Sequence, residues 1–498
     1  MRAFCVLSYS ALSVTWQLAP SKSPPKGETF FTSPSSFGEG FRVRLRGCSL
    51  PHNNEEEMPC CSVIPIGSKH LLTLHPVKFT VPDTSIFKQK ALQWAAGFDV
   101  ACYLDSNNYS DNYSSYSLII AAGVKHELSA SVGTAFKQLE QFRDEHPGWV
   151  MGFFTYDLKN EIEQLSSQNA DGLHFPDLYF FVPRHLITIC NNEVDILSDD
   201  AAATLSAIEQ QVISASPAVP PVKLQSRFSK ADYIGSVGHI KQHIIRGDIY
   251  VSNFCQEFYA DEAAIDPVHT FARLNKISPT PFSCFFKHYQ QYALCASPER
   301  FLAKRGGKLI SQPIKGTAKR QTDAEQDILI KHQLKTNQKE LQENVMIVDL
   351  VRNDLTHSAR PGSVKTEELF GIYSFNQVHQ MISTVVCDLQ DGISAVQAIK
   401  NTFPMGSMTG APKISAMQLM EKYERSKRGL YSGAIGCFSP DGDFDFNVVI
   451  RSLLYNADNK YLSFHAGSAI TYDADAEKEY EECLLKAAAV FKVLGERN

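Results

Sequence analysis

The sequence lacks any apolar run of the roughly 18–20 residues that a membrane-spanning helix needs. It also lacks a block rich in lysine and arginine, which would indicate a nucleic-acid-binding surface. Its 12 cysteines are scattered, with neither a Cys-x-x-Cys pair nor the spacing of a zinc site. We therefore expect no membrane span and no nucleic-acid partner, and we expect reduced thiols in a cytoplasmic protein.

The composition is that of an ordinary globular protein. Of the 498 residues, 44% are hydrophobic and 20% are charged, and the formal net charge is -6. A chain of this length holds two or three domains, or one large α/β domain with a smaller partner region. A mildly acidic protein can still bind an anionic metabolite, because the local field of the site matters more than the total charge.

Composition divides the chain into three segments. Residues 1–57 are rich in serine and proline; we interpret them as a disordered leader or a wrongly assigned start with Met58 as the first residue, and a transit peptide is the alternative. Residues 58–225 alternate strand-like and helix-like patterns and end in a proline-rich linker at 214–223. Residues 226–498 have a dense α/β pattern.

Hydrophobic periodicity predicts the elements that carry the candidate residues. Strands are expected at 149–156, 249–259, 291–296, 447–454 and 461–465, and helices at 201–214, 233–246, 325–355, 414–423 and 475–494.

Two of these helices each carry a pair of glutamates on one face. Glu340 and Glu343 are three residues apart, and Glu479 and Glu482 repeat that spacing near the C-terminus, with Lys486 one turn further on. The two faces could converge on one hard cation such as Mg²⁺, which takes few protein carboxylates. The alternative is that each pair is a solvated helix face.

A glycine-rich loop at 403–413 precedes a predicted helix, with Pro412 at the first helical position. Free backbone N–H groups there, together with Ser407, Thr409 and Lys413, could hold an anion. The glycine spacing differs from that of a phosphate-binding loop, so a carboxylate is the expected ligand. The alternative is a simple tight turn.

Two further stretches indicate contact with a carboxylate. Arg451 lies in a mostly apolar predicted strand, where a buried guanidinium needs an anionic partner. Residues 465–470 are predicted to form a glycine turn, in which Gly467 and Ser468 would let a ligand approach the backbone. The alternatives are an internal salt bridge and a plain hairpin or bulge.

Lys315 lies in the run Pro-Ile-Lys-Gly-Thr at 313–317, where proline and glycine fix the turn around it. A desolvated lysine amine can act as a nucleophile. Glu299, in Ser-Pro-Glu-Arg-Phe at 297–301, could be a nearby proton donor. The alternative is a solvated lysine on a loop.

Taken together and in this order, these motifs resemble the chorismate-binding family of enzymes. The resemblance covers about 229–494 and rests on the motifs at 297–301, 313–317, 340–355, 406–413, 450–452, 466–468 and 479–483. It implies an α/β (α+β) fold, a layered αββα sandwich, with a chorismate-binding catalytic domain at 226–498. Residues 58–225 would form a smaller anthranilate-synthase-like region packed on that domain.

The resemblance also implies roles for single residues. Glu343 and Glu482 would hold one Mg²⁺, with Glu340 and Glu479 beside it as ligands through water or as acid–base groups. The substrate would be bound by Arg451, Gly467, Ser468, Lys486, Ser407, Gln380 and Tyr431.

Lys315 separates the reactions within the family. Aminodeoxychorismate synthases have a motif like the Pro-Ile-Lys-Gly-Thr found here, whereas anthranilate synthases have Pro-Ile-Ala-Gly-Thr. The resemblance implies attack of the Lys315 amine on C2 of chorismate, loss of the C4 hydroxyl assisted by Glu299, and addition of ammonia at C4. The product would be 4-amino-4-deoxychorismate, a precursor of p-aminobenzoate in folate biosynthesis.

The chain departs from the family pattern at one strand. Gln380 stands where the family has a catalytic histidine; it can hydrogen-bond a leaving oxygen but cannot donate a proton as imidazolium can. His379, one residue earlier, is expected on the opposite face of the strand. His465 is also bulkier than the residue related enzymes have there. The strand at 249–254 has no lysine of the kind that isochorismate and salicylate synthases use as a base.

No cysteine lies in the Gly-x-Cys-x-Gly setting of a glutamine amidotransferase. We therefore expect ammonia from a separate amidotransferase subunit. The alternatives are the large subunit of an anthranilate synthase, against which Lys315 argues, and a non-catalytic paralogue that binds a carboxylated ligand or only the amidotransferase. The retained glutamates and Lys315 argue against the paralogue.

Overall fold

A computed structural model describes residues 75–190, 193–213 and 221–495, which belong to one compact unit. Residues 1–57, which we interpret as a leader, lie outside the described residues, and so does most of the predicted linker at 214–223. Within the described ranges, every helix is too short or too polar to cross a bilayer.

The elements are numbered in chain order. The strands are β1 Val77–Thr80, β2 Val100–Asp105, β3 Leu118–Ala130, β4 Val150–Phe154, β5 Leu178–Cys190, β6 Glu193–Leu197, β7 Gln225–Ser226, β8 Val251–Ala260, β9 Phe282–His288, β10 Gln291–Ser297, β11 Arg300–Arg305, β12 Lys308–Gln312, β13 Ile314–Lys319, β14 Lys365–Ser374, β15 Val378–Asp388, β16 Gly410–Ala411, β17 Ala434–Phe438, β18 Phe444–Asn447, β19 Ser452–Asn456 and β20 Tyr461–Ile470. The helices are α1 Thr84–Ala96, α2 Ala135–Glu145, α3 Lys159–Ile162, α4 Ala201–Glu209, α5 Lys230–Arg246, α6 Pro267–Ile277, α7 Ala324–Thr336, α8 Gln338–Thr356, α9 Ala395–Thr402, α10 Lys413–Tyr423 and α11 Ala476–Leu494.

The strands pair antiparallel into two sheets that share β5. The first sheet has the order β8–β20–β19–β10–β9–β2–β3–β5–β6–β1. The second has the order β5–β4–β17–β18–β11–β12–β15, and both β13 and β14 also pair with β15. Short strands β7 and β16 pair with β8 at the edge of the first sheet.

Alternation along the strands divides the core into two. In β9, Phe286 lies in a core shared with the second sheet, where its ring is 5.3 Å from that of Phe153. Phe285, on the opposite face of β9, belongs to a second core with α1, α5, α6 and α11. Helices α2, α8 and α9 contribute to the first core from beyond the second sheet. The predicted αββα layering is confirmed.

Strands from either side of residue 225 share both sheets. Strand β2 pairs with β9 in the first sheet, and β4 pairs with β17 in the second. Main-chain hydrogen bonds therefore join the segments before and after residue 225. The division into two domains at this residue stays a prediction.

Three predicted elements differ from the structure. The helix expected at 325–355 is two helices, because Asn337 is extended and its side chain caps α8. The strand expected at 447–454 is interrupted, since Arg451 has a left-handed φ of 52° between β18 and β19. The glycine turn expected at 465–470 is wrong, because those residues continue β20 and pair with β8.

Candidate functional site

Helices α8 and α11 bring four glutamates together, which we call the acidic faces: Glu340, Glu343, Glu479 and Glu482. Burial and the charge of Glu343 raise the pKa of Glu340 above its ordinary value. Burial and the charge of Glu482 likewise raise the pKa of Glu479. Glu482 also raises the pKa of Glu340, and Glu343 raises that of Glu479. Carboxylates about 140 residues apart in sequence therefore act on one another, and the predicted convergence of the two helices is observed.

Two lysines compensate part of this negative charge. The Lys339 amine lies 3.4 Å from Glu479 Oε1 and 3.7 Å from Glu343 Oε1, so it bridges the two helices. The Lys486 amine lies 2.7 Å from Glu482 Oε1. Although burial opposes ionisation, the Lys486 charge and hydrogen bond hold the pKa of Glu482 below its ordinary value.

The acidic faces fit a magnesium ion in part. Among residues 75–495 that are described, no three carboxylate, imidazole or thiol side chains lie close enough to enclose a metal by themselves. Mg²⁺, however, keeps several waters and takes only one or two carboxylates with substrate oxygens. Glu343 Oε1 is buried and makes no hydrogen bond. One hard oxygen from each helix, Glu343 and Glu482, is the donor set that such an ion needs.

Lys315 lies in β13 between the acidic faces and a second carboxyl group. Burial raises the pKa of Glu299 and of Glu340, and the positive charge of Lys315 opposes that rise; the same charge contributes to the lowered pKa of Glu482. The side chain is half-buried, and among the described residues its amine has no hydrogen-bond or ion-pair partner. The alternative of a fully solvated loop lysine is wrong.

Gly316 explains how the strand comes so close to α8. The residue has a left-handed φ of 95°, and an added Cβ would lie 3.2 Å from Glu340 Oε2 and 3.2 Å from the Met381 Cβ. Any side chain here would be strained and crowded. Glycine after Lys315 therefore allows the lysine-bearing strand to approach the glutamates.

Glu299 is a buried acid on the other side of Lys315, between β10 and β11. Its side chain is buried, and it lines a small cavity together with Ser407 and Pro313. Burial raises the pKa of Glu299 to about 7, against the opposing effects of the Ser407 hydroxyl and the Lys315 charge. A carboxyl group with this pKa holds a proton near neutrality and can donate it.

Arg451 is a partly buried cation near Glu299. Burial lowers the pKa of Arg451, and the charge of Glu299 opposes this. No hydrogen bond or ion pair engages its guanidinium within the described part of the chain. The alternative of an internal salt bridge is therefore wrong there, and the guanidinium is available to an external anion.

The glycine-rich loop contributes less than predicted. Ser407 lies in a short 3-10 turn, and its buried hydroxyl makes no well-formed hydrogen bond, although it lies close enough to the Glu299 carboxyl to lower the pKa of that group. In contrast, the Thr409 hydroxyl donates to the Gly406 carbonyl, and Lys413 pairs with Asp354 at 3.0 Å. The predicted anion cradle is thus wrong for Thr409 and Lys413, whose polar groups the fold already uses.

Pro412 also differs from the expectation at this loop. It is the extended residue just before α10, which begins at Lys413, and it is not the first helical residue.

Gln380 is buried in β15 with both side-chain polar atoms unpaired. It lies across the ladder from Thr317, two residues beyond Lys315. His379 faces the other way, as predicted: its ring bonds to Ser374 at 2.8 Å and to Asp327 at 3.1 Å. Four residues have side chains that make no well-formed hydrogen bond or ion pair within the described residues, and we call them the polar wall: Lys315, Gln380, Ser407 and Arg451.

Strand β20 holds Gly467 and Ser468 in its middle. A Cβ on Gly467 would lie 2.7 Å from Cys255 Sγ, so close strand packing requires glycine here. The Ser468 hydroxyl is 3.0 Å from the Tyr233 hydroxyl, so its side chain is not free for a ligand. Lys486 donates to the Gly467 carbonyl at 2.7 Å, which ties α11 to the strand.

Tyr431 is buried on the same side of the fold. Its ring stacks on His465 at 4.9 Å with an interplanar angle of 16°, and its hydroxyl lies 3.8 Å from Cys255 Sγ. Burial lowers the pKa of His465 to about 4, so the ring is neutral at physiological pH. The bulky residue noted in the sequence is thus a support for Tyr431.

Sequence reasoning missed Lys339. Its spacing of four from Glu343 was a visible signal for one contact. The contact to Glu479, 140 residues away, left no signal in the sequence.

A separate cavity of about 150 Å³ has walls that include Asp105, Trp149, Arg300 and Asp445. It contains none of the predicted site residues, so the chemistry is concentrated at the acidic faces and the polar wall.

Comparison with known proteins shows which family and which individual proteins this chain is similar to. The family described as chorismate binding enzyme matches residues 86–492. Aminodeoxychorismate synthase component 1 of Bacillus subtilis is 32% identical over 380 residues, which cover 72% of this chain and 80% of that protein. The protein of that name from Klebsiella aerogenes is 34% identical over 354 residues, 70% and 77% of the two chains. The crystal structure of anthranilate synthase component I from Streptococcus pneumoniae has a TM-score of 0.67 and 25% identity, covering 77% of this chain and 93% of that one.

Proposed function

Because the chain belongs to the chorismate-binding enzyme family, we propose that it aminates chorismate at C4 to give 4-amino-4-deoxychorismate. The match to the family over residues 86–492 confirms the resemblance inferred from the motifs. The names of the relatives from Bacillus subtilis and Klebsiella aerogenes support amination at C4 among the reactions of the family. One observation carries the proposal: the unpaired amine of Lys315 lies close enough to the buried carboxyl of Glu299 and to Glu482 of the acidic faces to act on the pKa of both.

Lys315 explains why ammonia would add at C4. The neutral form of its amine forms a bond to C2, both conjugated ring double bonds shift by one position, and the C4–O bond breaks, with the oxygen leaving as water after protonation by Glu299. Ammonia then forms the C4–N bond, both double bonds shift back, and the C2–N bond breaks to release the neutral Lys315 amine. The new C4 ammonium group returns one proton to the Glu299 carboxylate, so the net change is the exchange of water for ammonia. An amine that occupies C2 leaves C4 as the position open to ammonia.

The remaining residues would bind and orient the substrate. The unpaired guanidinium of Arg451 suits a carboxylate of chorismate, and the Gln380 amide suits a hydroxyl or ether oxygen. Mg²⁺ held by Glu343 and Glu482 would supply Lewis-acid stabilisation of the ring carboxylate and leaving group. Lys486 of α11 and Gly467 of β20, which contact each other, would line the substrate site where this helix meets this strand.

Ammonia would come from a glutamine amidotransferase partner, as the name component 1 of the relatives supports. In the absence of that partner, free ammonia would serve. The product would feed p-aminobenzoate formation in folate biosynthesis, and a further enzyme would eliminate the pyruvyl group.

A second candidate is amination at C2 to give anthranilate. The resemblance to anthranilate synthase component I from Streptococcus pneumoniae favours it. The amine of Lys315 argues against it, because it would compete with ammonia for C2.

The test is incubation of the purified chain with chorismate, MgCl₂ and an ammonium salt, with the product identified by mass spectrometry and NMR. We expect 4-amino-4-deoxychorismate, with the new nitrogen on C4. Anthranilate would establish the second candidate, and absence of turnover with correctly folded protein would contradict both.

A further inference from the structure

We propose that Lys339 is an internal cation that neutralises the acidic faces in the metal-free protein and that Mg²⁺ must displace it to bind. The inference rests on the proposed magnesium site and goes beyond it, because it assigns the affinity of that site to a residue outside the ligand set.

The geometry places the Lys339 ammonium where the two helices meet. It lies at the start of α8, and its contacts at 3.4 Å to Glu479 and 3.7 Å to Glu343 join one helix to the other. The side chain is 51% exposed. A long, half-exposed lysine can reach this position and can also swing out into water.

The charges around Lys339 show what it does there. Glu343 and Glu479 are both buried, so water screens their carboxylates poorly. The Lys339 ammonium is the cation that contacts both of them, whereas Lys486 pairs with Glu482. The Lys339 ammonium therefore relieves repulsion between carboxylates of the two helices that Lys486 leaves uncompensated.

Lys339 and a bound ion would compete for the same oxygen. Glu343 Oε1 is 3.7 Å from the Lys339 amine and is also the buried oxygen without a hydrogen bond. An ammonium and a divalent cation repel each other and cannot both approach one carboxylate oxygen closely. Binding of Mg²⁺ thus requires Lys339 to leave, and the free energy of its contacts is subtracted from the affinity for the ion.

The experiment is isothermal titration calorimetry of the full chain with MgCl₂ alone. In Lys339→Met we expect the Kd for Mg²⁺ to fall by about fivefold to tenfold, the lower end of typical coupling because the lysine is half-exposed. Lys335→Met is the matched control: it removes one positive charge from an exposed lysine of α7 that has no ion pair among the described residues. We expect it to change the Kd less than twofold. Lys339→Arg should keep the wild-type Kd or raise it.

A thermal melt supplies a readout that needs no turnover. Without metal, Lys339→Met should melt below the wild type, because the acidic faces lose one of their two lysine counter-ions. Saturating MgCl₂ should raise its Tm by more than it raises that of the wild type.

The outcomes separate this inference from the proposed function. A Kd for Lys339→Met equal to or weaker than that of the wild type would overturn the inference and leave the magnesium site standing. A wild-type chain that binds no Mg²⁺ at millimolar concentrations would overturn both. Lys339→Gln gives the same comparison if the methionine variant does not fold.

Discussion

The acidic faces and the polar wall differ in how far the protein itself pairs their polar groups, although Glu343 Oε1 at the acidic faces also makes no hydrogen bond. At the acidic faces, Lys339 and Lys486 lie within 2.7–3.7 Å of carboxylate oxygens, so much of the charge is already compensated. On the polar wall, Lys315 and Arg451 have no partner among the described residues, and Gln380 and Ser407 leave buried polar atoms without hydrogen bonds. Buried polar groups are usually satisfied.

This difference indicates a division of labour. The acidic faces are a counter-ion site that the protein can stabilise by itself. Unpaired polar groups destabilise the folded chain, and under the proposed function the polar wall would gain its hydrogen bonds from the bound substrate, as expected where stability is given up for binding.

The largest expected loss of activity comes from replacing Lys315 of the polar wall. Lys315→Ala should lower kcat for C4 amination by about 1000-fold or more, because it would remove the proposed nucleophile and with it the covalent route. The measurement is the initial rate at saturating chorismate and ammonium. Lys319→Ala, which removes an exposed lysine from the same strand, should behave like the wild type. A near-normal rate in Lys315→Ala would show that Lys315 forms no covalent bond to the substrate.

Glu299 gives the next largest effect and sets the pH dependence. Since burial raises its pKa to about 7, the carboxyl is protonated below that pH and ionised above it. The donor form is lost as the pH rises, and kcat should fall about tenfold for each pH unit above 7. The free ammonia concentration must be held constant at each pH, because ammonia itself titrates.

Glu299→Gln is the companion variant. It should lower kcat by about 100-fold or more and abolish the alkaline fall that Glu299 causes. An unchanged alkaline fall in this variant would assign that ionisation to another group.

Substitution of Gln380 tests whether the unpaired groups of the polar wall lower the stability of the folded chain and contribute to substrate binding. Gln380→Leu removes two buried unpaired polar atoms, so it should raise the free energy of unfolding by about 1 kcal/mol. It should also raise the KM for chorismate by about tenfold, since one hydrogen-bonding group to the substrate is lost. Urea unfolding and steady-state kinetics measure the two effects.

Ser383 is the matched control on the same strand. Its buried hydroxyl donates to the Asn344 side chain at 2.7 Å, so the group is satisfied. Ser383→Ala should lower the free energy of unfolding, by about 1 kcal/mol. If Gln380→Leu is also destabilising, its amide is satisfied within the protein and the comparison between the two regions fails.

Local spacing made much of the site predictable. Glu340 and Glu343 share a helix face because a helix repeats every 3.6 residues, and the same rule pairs Glu479 with Glu482. The run around Lys315 likewise carries its own turn, with glycine at the one place where a left-handed φ is needed.

Long-range pairing explains what could not be predicted. The residues at 465–470 read as a turn, yet ladder bonds to β8 keep them in a strand, and Gly467 is small because Cys255 lies against it. Arg451 interrupts its strand with a left-handed residue, which only the tertiary fold imposes. The contact of Lys339 with Glu479 depends on two helices meeting far from their places in the sequence.

The break at Asn337 offers the smallest and most local test of the acidic faces. Its side chain accepts hydrogen bonds from the backbone N–H groups of Lys339 and Glu340, so the cap fixes the turn that carries both. Asn337→Ala should lower the free energy of unfolding by about 1 kcal/mol, and Asn337→Asp should restore it, because aspartate caps as well as asparagine. If the cap also positions the glutamates, Asn337→Ala should weaken Mg²⁺ binding in calorimetry by about twofold, while Thr336→Ala, one residue earlier, should not. An equal loss of stability with unchanged Mg²⁺ affinity would show that α11 and the second sheet, and not the start of α8, set the geometry of the acidic faces.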